Sequence, residues 1–133
     1  MQLLDKISLG FGRKIPTILQ TEATECGLAC IAMIAHFYGY ESDLLTLRRR
    51  FPVSQKGTNL NQLIKISNQL KMVTRPLKLD LEDLNQLKTP CILHWDFNHF
   101  VVLQEVSANK VTILDPAFGK RILTLNEVSE HFT

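Results

Sequence analysis

The chain has no stretch close to the ~20 consecutive apolar residues that cross a bilayer, so nothing in it reads as a membrane span. Met1 to Gly10 mixes charges and has no apolar centre, so no secretory signal is visible there. Cysteine is scarce and odd in number: Cys26, Cys30 and Cys91 cannot form a disulfide framework and fit a reducing compartment. Charge of one sign is also missing. Fifteen Lys and Arg against 13 Asp and Glu give a net charge of +2, too little to argue for nucleic acid or an anionic membrane as the main partner. The one basic run, Arg48-Arg49-Arg50, reads as a solvated helix end. There is no internal repeat, no low-complexity linker and no G-x-x-x-x-G-K-[ST] phosphate loop.

What is present suits one domain. Hydrophobic residues make up 45% of 133, enough for a core. Residues 1 to 19 form a lead-in ending near Pro16. Thr24 is the expected cap of a helix running to about Tyr38, with Gly39 as its stop. That helix is apolar nearly all round and should be buried. Ser42 is the expected cap of a second helix ending near Phe51. Thr58 is that of a third, from Asn59 to about Leu70, with a stripe of Leu60, Leu63, Ile64, Ser67 and Leu70. Residues 72 to 79 look like an edge strand interrupted by Pro76. Asp80 can cap a short helix through Leu87. Strands follow at Cys91 to Trp95, His99 to Val106, Lys110 to Leu114 and Lys120 to Leu123. Thr124, with Glu127 three residues on, signals a capping box and a last helix inside which the chain stops. Helices first and antiparallel strands after give the α+β class.

Four residues carry chemistry. Cys26 falls in the first turn of the buried helix, where free N–H groups and the helix dipole favour a thiolate, the nucleophilic form. Gly27 leaves space beside the sulfur for a substrate backbone. Cys30 and Cys91 read as packing residues. His99 opens a strand from which it can project toward a helix packed on the sheet, and its ordinary pKa near ~6.5 suits a general base. Asp115 ends the next strand. A three-residue turn, Ser107-Ala108-Asn109, sets Asp115 opposite Val101 and on the face of His99. A two-residue turn sets it opposite Val102, on the wrong face. The three-residue turn is therefore expected, with Asn109 left-handed. Asp96 and Asn98 rank below Asp115 as partners of His99. His36, His94 and His131 have no evident partner. Gln20, six residues before Cys26, can add a carboxamide donor to the Cys26 amide for an oxyanion. Thiol, imidazole, carboxylate and carboxamide together are the set a cysteine hydrolase needs.

These residues also carry a resemblance. Gln20, four residues, then Glu25-Cys26-Gly27, with Asn98-His99-Phe100-Val101-Val102 and Asp115-Pro116 downstream, resembles the bacteriocin-processing cysteine peptidase domain of peptidase-containing ABC transporters. The likeness runs from about Pro16 to Leu125, and Lys56-Gly57-Thr58-Asn59-Leu60 resembles the family's link into its third helix. It implies a papain-like fold, helices packed on an antiparallel sheet. It also implies cleavage after a Gly-Gly or Gly-Ala pair in a leader peptide. By position Cys26 matches the nucleophile, His99 the base, Asp115 the orienting carboxylate and Gln20 the oxyanion donor.

The expectation is therefore one peptidase domain over 1–133, the N-terminal part of a longer exporter, at the cytoplasmic face of a bacterial membrane. Its partners would be a leader peptide, bound in a hydrophobic groove, and the exporter's transmembrane and ATP-binding domains. No cofactor, metal or nucleic acid is expected. The alternative is a non-catalytic module that docks cargo. A transferase using the same residues, and a metal site built on Cys26 and Cys30 with His36 or His99, are weaker rivals, the last because the spacing matches no common zinc pattern.

Overall fold

A computed structural model describes residues 15–21, 24–40, 43–52, 57–78 and 80–133. Three helices come first: α1 (Cys26–Phe37), α2 (Leu44–Arg50) and α3 (Leu60–Gln69). A short 3₁₀ helix, Leu81–Gln86, leads into four strands, β1 (Cys91–Trp95), β2 (His99–Ser107), β3 (Lys110–Asp115) and β4 (Gly119–Thr124). Helix α4 (Leu125–Ser129) follows. The strands form one antiparallel meander in the order β1-β2-β3-β4. This is the α+β arrangement expected, helices on a four-stranded antiparallel sheet.

The caps differ from expectation, each for a local reason. Helix α1 is capped by Glu25, not Thr24, and by backbone geometry without a side-chain bond. Asp43 caps α2 by accepting the Thr46 amide, whereas Ser42 lies outside the described residues. Asn59, not Thr58, caps α3, because Gln62 at the third helical position closes a reciprocal capping box with it. On α3 the buried side chains are Leu63, Ile66 and Ser67, while Leu60 is exposed. Residues 72–78 form no strand; Met72 packs against the core, but Val73 is 95% exposed and Leu77 is exposed too. Position 79, and residues 1–14 of the lead-in, lie outside the described residues. Asp80 does precede the 3₁₀ helix but makes no side-chain cap. Thr124 and Glu127 form the capping box of α4 as expected. The chain does not stop inside α4: Phe132 bridges Trp95 beyond it.

Side-chain alternation divides the interior in two. On one face of the sheet Phe100, Val102 and Leu114 pack against Leu28, Ile31, Ala32 and Met33 of α1, with Leu47 of α2 and Leu63 of α3 behind them. On the other face Val101, Leu103, Val111 and Ile113 pack with Trp95, Leu84 and Val128. Each fully buried Leu, Ile or Met contributes about 1.5–3 kcal/mol. Helix α1, buried on almost every side, is therefore fixed against the sheet, and so is its N-terminus.

Candidate active site

Cys26 is the first residue of α1 and is 8% exposed, at the helix end where backbone N–H groups lack intrahelical partners. The space beside it is not open. A Cβ added to Gly27 would lie 2.7 Å from Leu63 Cδ2 and 3.5 Å from Thr58 Cβ. Gly27 thus lets α3 approach α1 closely, and Leu63 fills the room expected for a substrate backbone.

His99 opens β2 and Asp115 closes β3, and they meet through Nε2 and Oδ1 at 2.7 Å. The route to this contact differs from the one expected. Ser107 pairs with Lys110, so the turn has two residues, Ala108 and Asn109, and Ala108 rather than Asn109 takes the positive φ of 53°. That register alone would turn Asp115 to the wrong face. A β-bulge at Gln104 corrects it: Val106 pairs with Val111, but Leu103 pairs with Ile113 and Val102 with Leu114. One step further on, Asp115 stands across from Val101, on the face of His99. The bulge also keeps Leu103 and Val106 in the same core.

Asp115 is 2% exposed and also accepts the Ala117 amide at 2.9 Å. Burial pushes its carboxyl up. The His99 hydrogen bond, the Ala117 amide and the charges of His99 and Arg121 outweigh that and leave it below 3.8. The Asp115 hydrogen bond, then a hydrogen bond with Cys26, raise His99 to about 9 against an opposing effect of burial. Since Nε2 is held by Asp115, Nδ1 is the nitrogen left to face the Cys26 sulfur. An imidazole fixed between a thiol and a carboxylate can pass a proton in either direction.

Gln20 reaches this end of the sheet through its backbone, whose N–H donates to the Pro116 carbonyl at 2.9 Å. Its neighbour Thr21 is tied to Glu25: the Thr21 hydroxyl donates to Glu25 Oε1 at 2.9 Å and its amide at 3.3 Å. Arg48 of α2 bonds both Glu25 and Thr21, with Nη2 3.0 Å from Glu25 Oε1. Arg48 is therefore not part of a merely solvated basic run. Nothing in the spacing reveals this pair, because its members lie 23 residues apart.

The remaining histidines and acids lie apart. Asp96 pairs with His131 at 2.8 Å, and His131 stacks on Trp95. His94 meets the Thr133 hydroxyl at 2.9 Å, and Asn98 and His36 are exposed. Burial holds the Cys30 thiol well above its ordinary value, helped by the charges of Cys26 and Asp115, and burial raises Cys91 to about 11. Among the described residues no group of three or more His, Cys, Asp or Glu side chains could hold a metal ion, and no helix is long and apolar enough to cross a membrane. A cavity of about 320 Å³ opens between the end of α2 and α3, where Phe51, Pro52 and Ile66 meet Arg50, Lys65 and Gln62.

Comparison with known proteins is consistent along the chain. A family model described as the peptidase C39 family matches residues 14–133. The chain is 49% identical over 132 residues to a probable microcin-H47 secretion/processing ATP-binding protein, MchF, of Escherichia coli, covering 99% of this chain and 19% of that protein. It is 48% identical over 132 residues to the colicin V secretion/processing ATP-binding protein CvaB of Escherichia coli, with the same coverage. The chain thus spans about a fifth of the length of these curated relatives. Among solved structures, a double glycine motif protease from an AMS/PCAT transporter, in complex with the leader peptide, superposes with a TM-score of 0.84. It is 34% identical, and the match covers 91% of this chain and 87% of that one. The peptidase domain of Streptococcus ComA, a bifunctional ABC transporter, gives 0.80 at 25% identity, over 91% and 93%.

Proposed function

Because the chain belongs to the peptidase C39 family, whose cysteine peptidase fold it shares, we propose that it is the leader-peptidase domain of a bacteriocin or microcin exporter. In this reading 1–133 is one peptidase unit within a longer protein. Its partners are that protein's transmembrane and ATP-binding parts, at the cytoplasmic face of the membrane. The relatives named for secretion and processing support the setting. The relative solved with a leader peptide supports the substrate, a leader ending in two small residues.

The observation that carries the catalytic assignment is the chain of contacts from Cys26 to His99 to Asp115. The Cys26 thiolate attacks the carbonyl carbon of the second small residue, forming an S–C bond while the carbonyl electrons move to oxygen. The helix-end amide of Cys26 and the Gln20 carboxamide meet that oxyanion. The oxygen's electrons return, the C–N bond breaks, and His99 gives its Nδ1 proton to the leaving amine. Water, deprotonated by His99, then attacks the thioester and frees the leader as a carboxylic acid, with the thiolate regained. Asp115 orients the ring and stabilises its cationic form throughout.

The test is incubation of the chain with a peptide carrying a Gly-Gly leader end, read by mass spectrometry. The expected result is one cut after the second glycine, with a free carboxylate on the leader, abolished in Cys26→Ala. A Cys26→Ala chain that still cuts would overturn the assignment. So would a parent chain that binds the peptide without cutting it, which is what a docking module would do.

A further inference from the structure

Glu25 is an unusual residue to find where it stands. It caps α1 immediately before Cys26, and its carbonyl accepts the first helical bond, from Ala29 at 2.9 Å. A side-chain acceptor at such a position normally turns onto the first free amides of the helix. Here the carboxylate makes no cap bond. It is 2% exposed and directed instead at Thr21 and at Arg48. A carboxylate beside the nucleophile has two costs for acyl transfer. Its charge opposes both the thiolate and the oxyanion, and its oxygens could occupy the amides on which the oxyanion is to sit. Both are avoided if the charge is matched and the side chain is held off the helix end. Arg48 does both: its guanidinium contacts Glu25 through Nε and Nη2 and Thr21 through Nη2. The same network ties Thr21, the residue next to Gln20, to the cap.

We propose that Arg48 is a positioning residue that acts through Glu25: it draws the Glu25 carboxylate away from the N-terminus of α1 and so keeps that end open to the oxyanion. This rests on the reading of Cys26 as nucleophile and adds a residue that does not itself touch substrate. The structure gives the pair a sign that an ordinary stabilising ion pair lacks. The Arg48 cation is needed only because Glu25 is anionic.

Cleavage of a Gly-Gly peptide is measured for the parent, Cys26→Ala, Glu25→Gln, Arg48→Met and the double variant Glu25→Gln/Arg48→Met, with kcat and KM separated. Glu25→Gln should keep kcat within about threefold, since the carboxamide still accepts from Thr21. Arg48→Met should lower kcat by about tenfold or more, in the range of losing part of an oxyanion site, with KM little changed. The double variant should recover to within about threefold of the parent. An ion pair serving only stability changes the folded fraction and leaves kcat per folded molecule parental in every variant; a double variant with kcat no better than Arg48→Met overturns the proposal. So does an Arg48→Met chain with parental kcat. If Arg48→Met does not fold, the contrast is read between Arg48→Lys, expected to retain kcat, and Arg48→Gln, expected to lose it; equal values contradict the proposal. Cys26→Ala separates the layers: activity surviving in it refutes the nucleophile assignment itself, whereas loss of double-variant rescue with Cys26→Ala inactive refutes only the role of Arg48 and Glu25.

Discussion

His99 Nε2 lies 2.7 Å from Asp115 Oδ1 because a single extra residue in β2, Gln104, moves the β2–β3 register by one. Were Gln104 paired in a regular ladder instead of bulged out, the two-residue turn at Ala108-Asn109 would send the carboxylate to the opposite face of the sheet. The site therefore depends on an irregularity in the middle of a strand, well away from either residue.

Removing Gln104 tests this directly. The pairs on either side, Leu103 with Ile113 and Glu105 with Thr112, become consecutive when the bulge residue is deleted. The deletion should thus leave His99 and Asp115 in register and peptide cleavage within about tenfold of the parent, the loss reflecting local strand twist. Cleavage falling to the level of Cys26→Ala, in a folded protein, would show that the bulge does more than set register.

The protonation of the pair sets a pH signature. The folded pKa of His99, about 9, lies above its ordinary 6.5, so its contribution to stability is complete below about 6.5 and disappears as pH rises through 9. Asp115 is depressed below 3.8, so its contribution is present above that value and lost on acidification. Thermal midpoints measured from pH 5 to 10 should fall for the parent between about 6.5 and 9, and Asp115→Asn should flatten that fall. Parallel curves would contradict the ion pair.

Much of this was legible in the sequence. The four strands and the Thr124–Glu127 box follow from local pattern, and motif picks out His99 and Asp115, which the structure brings together. The helix starts were misread where two capping residues adjoin, as at Thr58-Asn59. There Gln62, three residues after Asn59 but four after Thr58, was the deciding signal. The bulge and the Glu25–Arg48 pair were not legible, because each depends on partners brought together only by folding. Val73 shows the converse: a β-favouring residue remains outside the sheet when nothing packs on it.

Gly27 should resist substitution for a packing reason. The Cβ of Gly27→Ala meets Leu63 at 2.7 Å, and Leu63 is only 3% exposed, so overpacking should cost about 1–3 kcal/mol in denaturant unfolding. Adding Leu63→Ala should make the Gly27→Ala change cheaper than it is alone. Additive losses would show that α1 and α3 are not in contact there.

The three thiols should react unequally. Burial raises the pKa of Cys30 and brings that of Cys91 to about 11, which leaves both mainly protonated at neutral pH. Iodoacetamide at pH 7, followed by peptide mapping, should label Cys26 first, and faster in the parent than in His99→Ala. Equal labelling of all three would contradict the site.

The central claim is that one imidazole is held between the Cys26 sulfur and the Asp115 carboxylate. The most direct measurement is the NMR titration of His99 in the parent, Cys26→Ala and Asp115→Asn. The predicted result is a midpoint near 9 in the parent that falls in both variants, further in Asp115→Asn, since that hydrogen bond is the largest cause of the shift. A parental midpoint near 6.5, unmoved by either substitution, would contradict it.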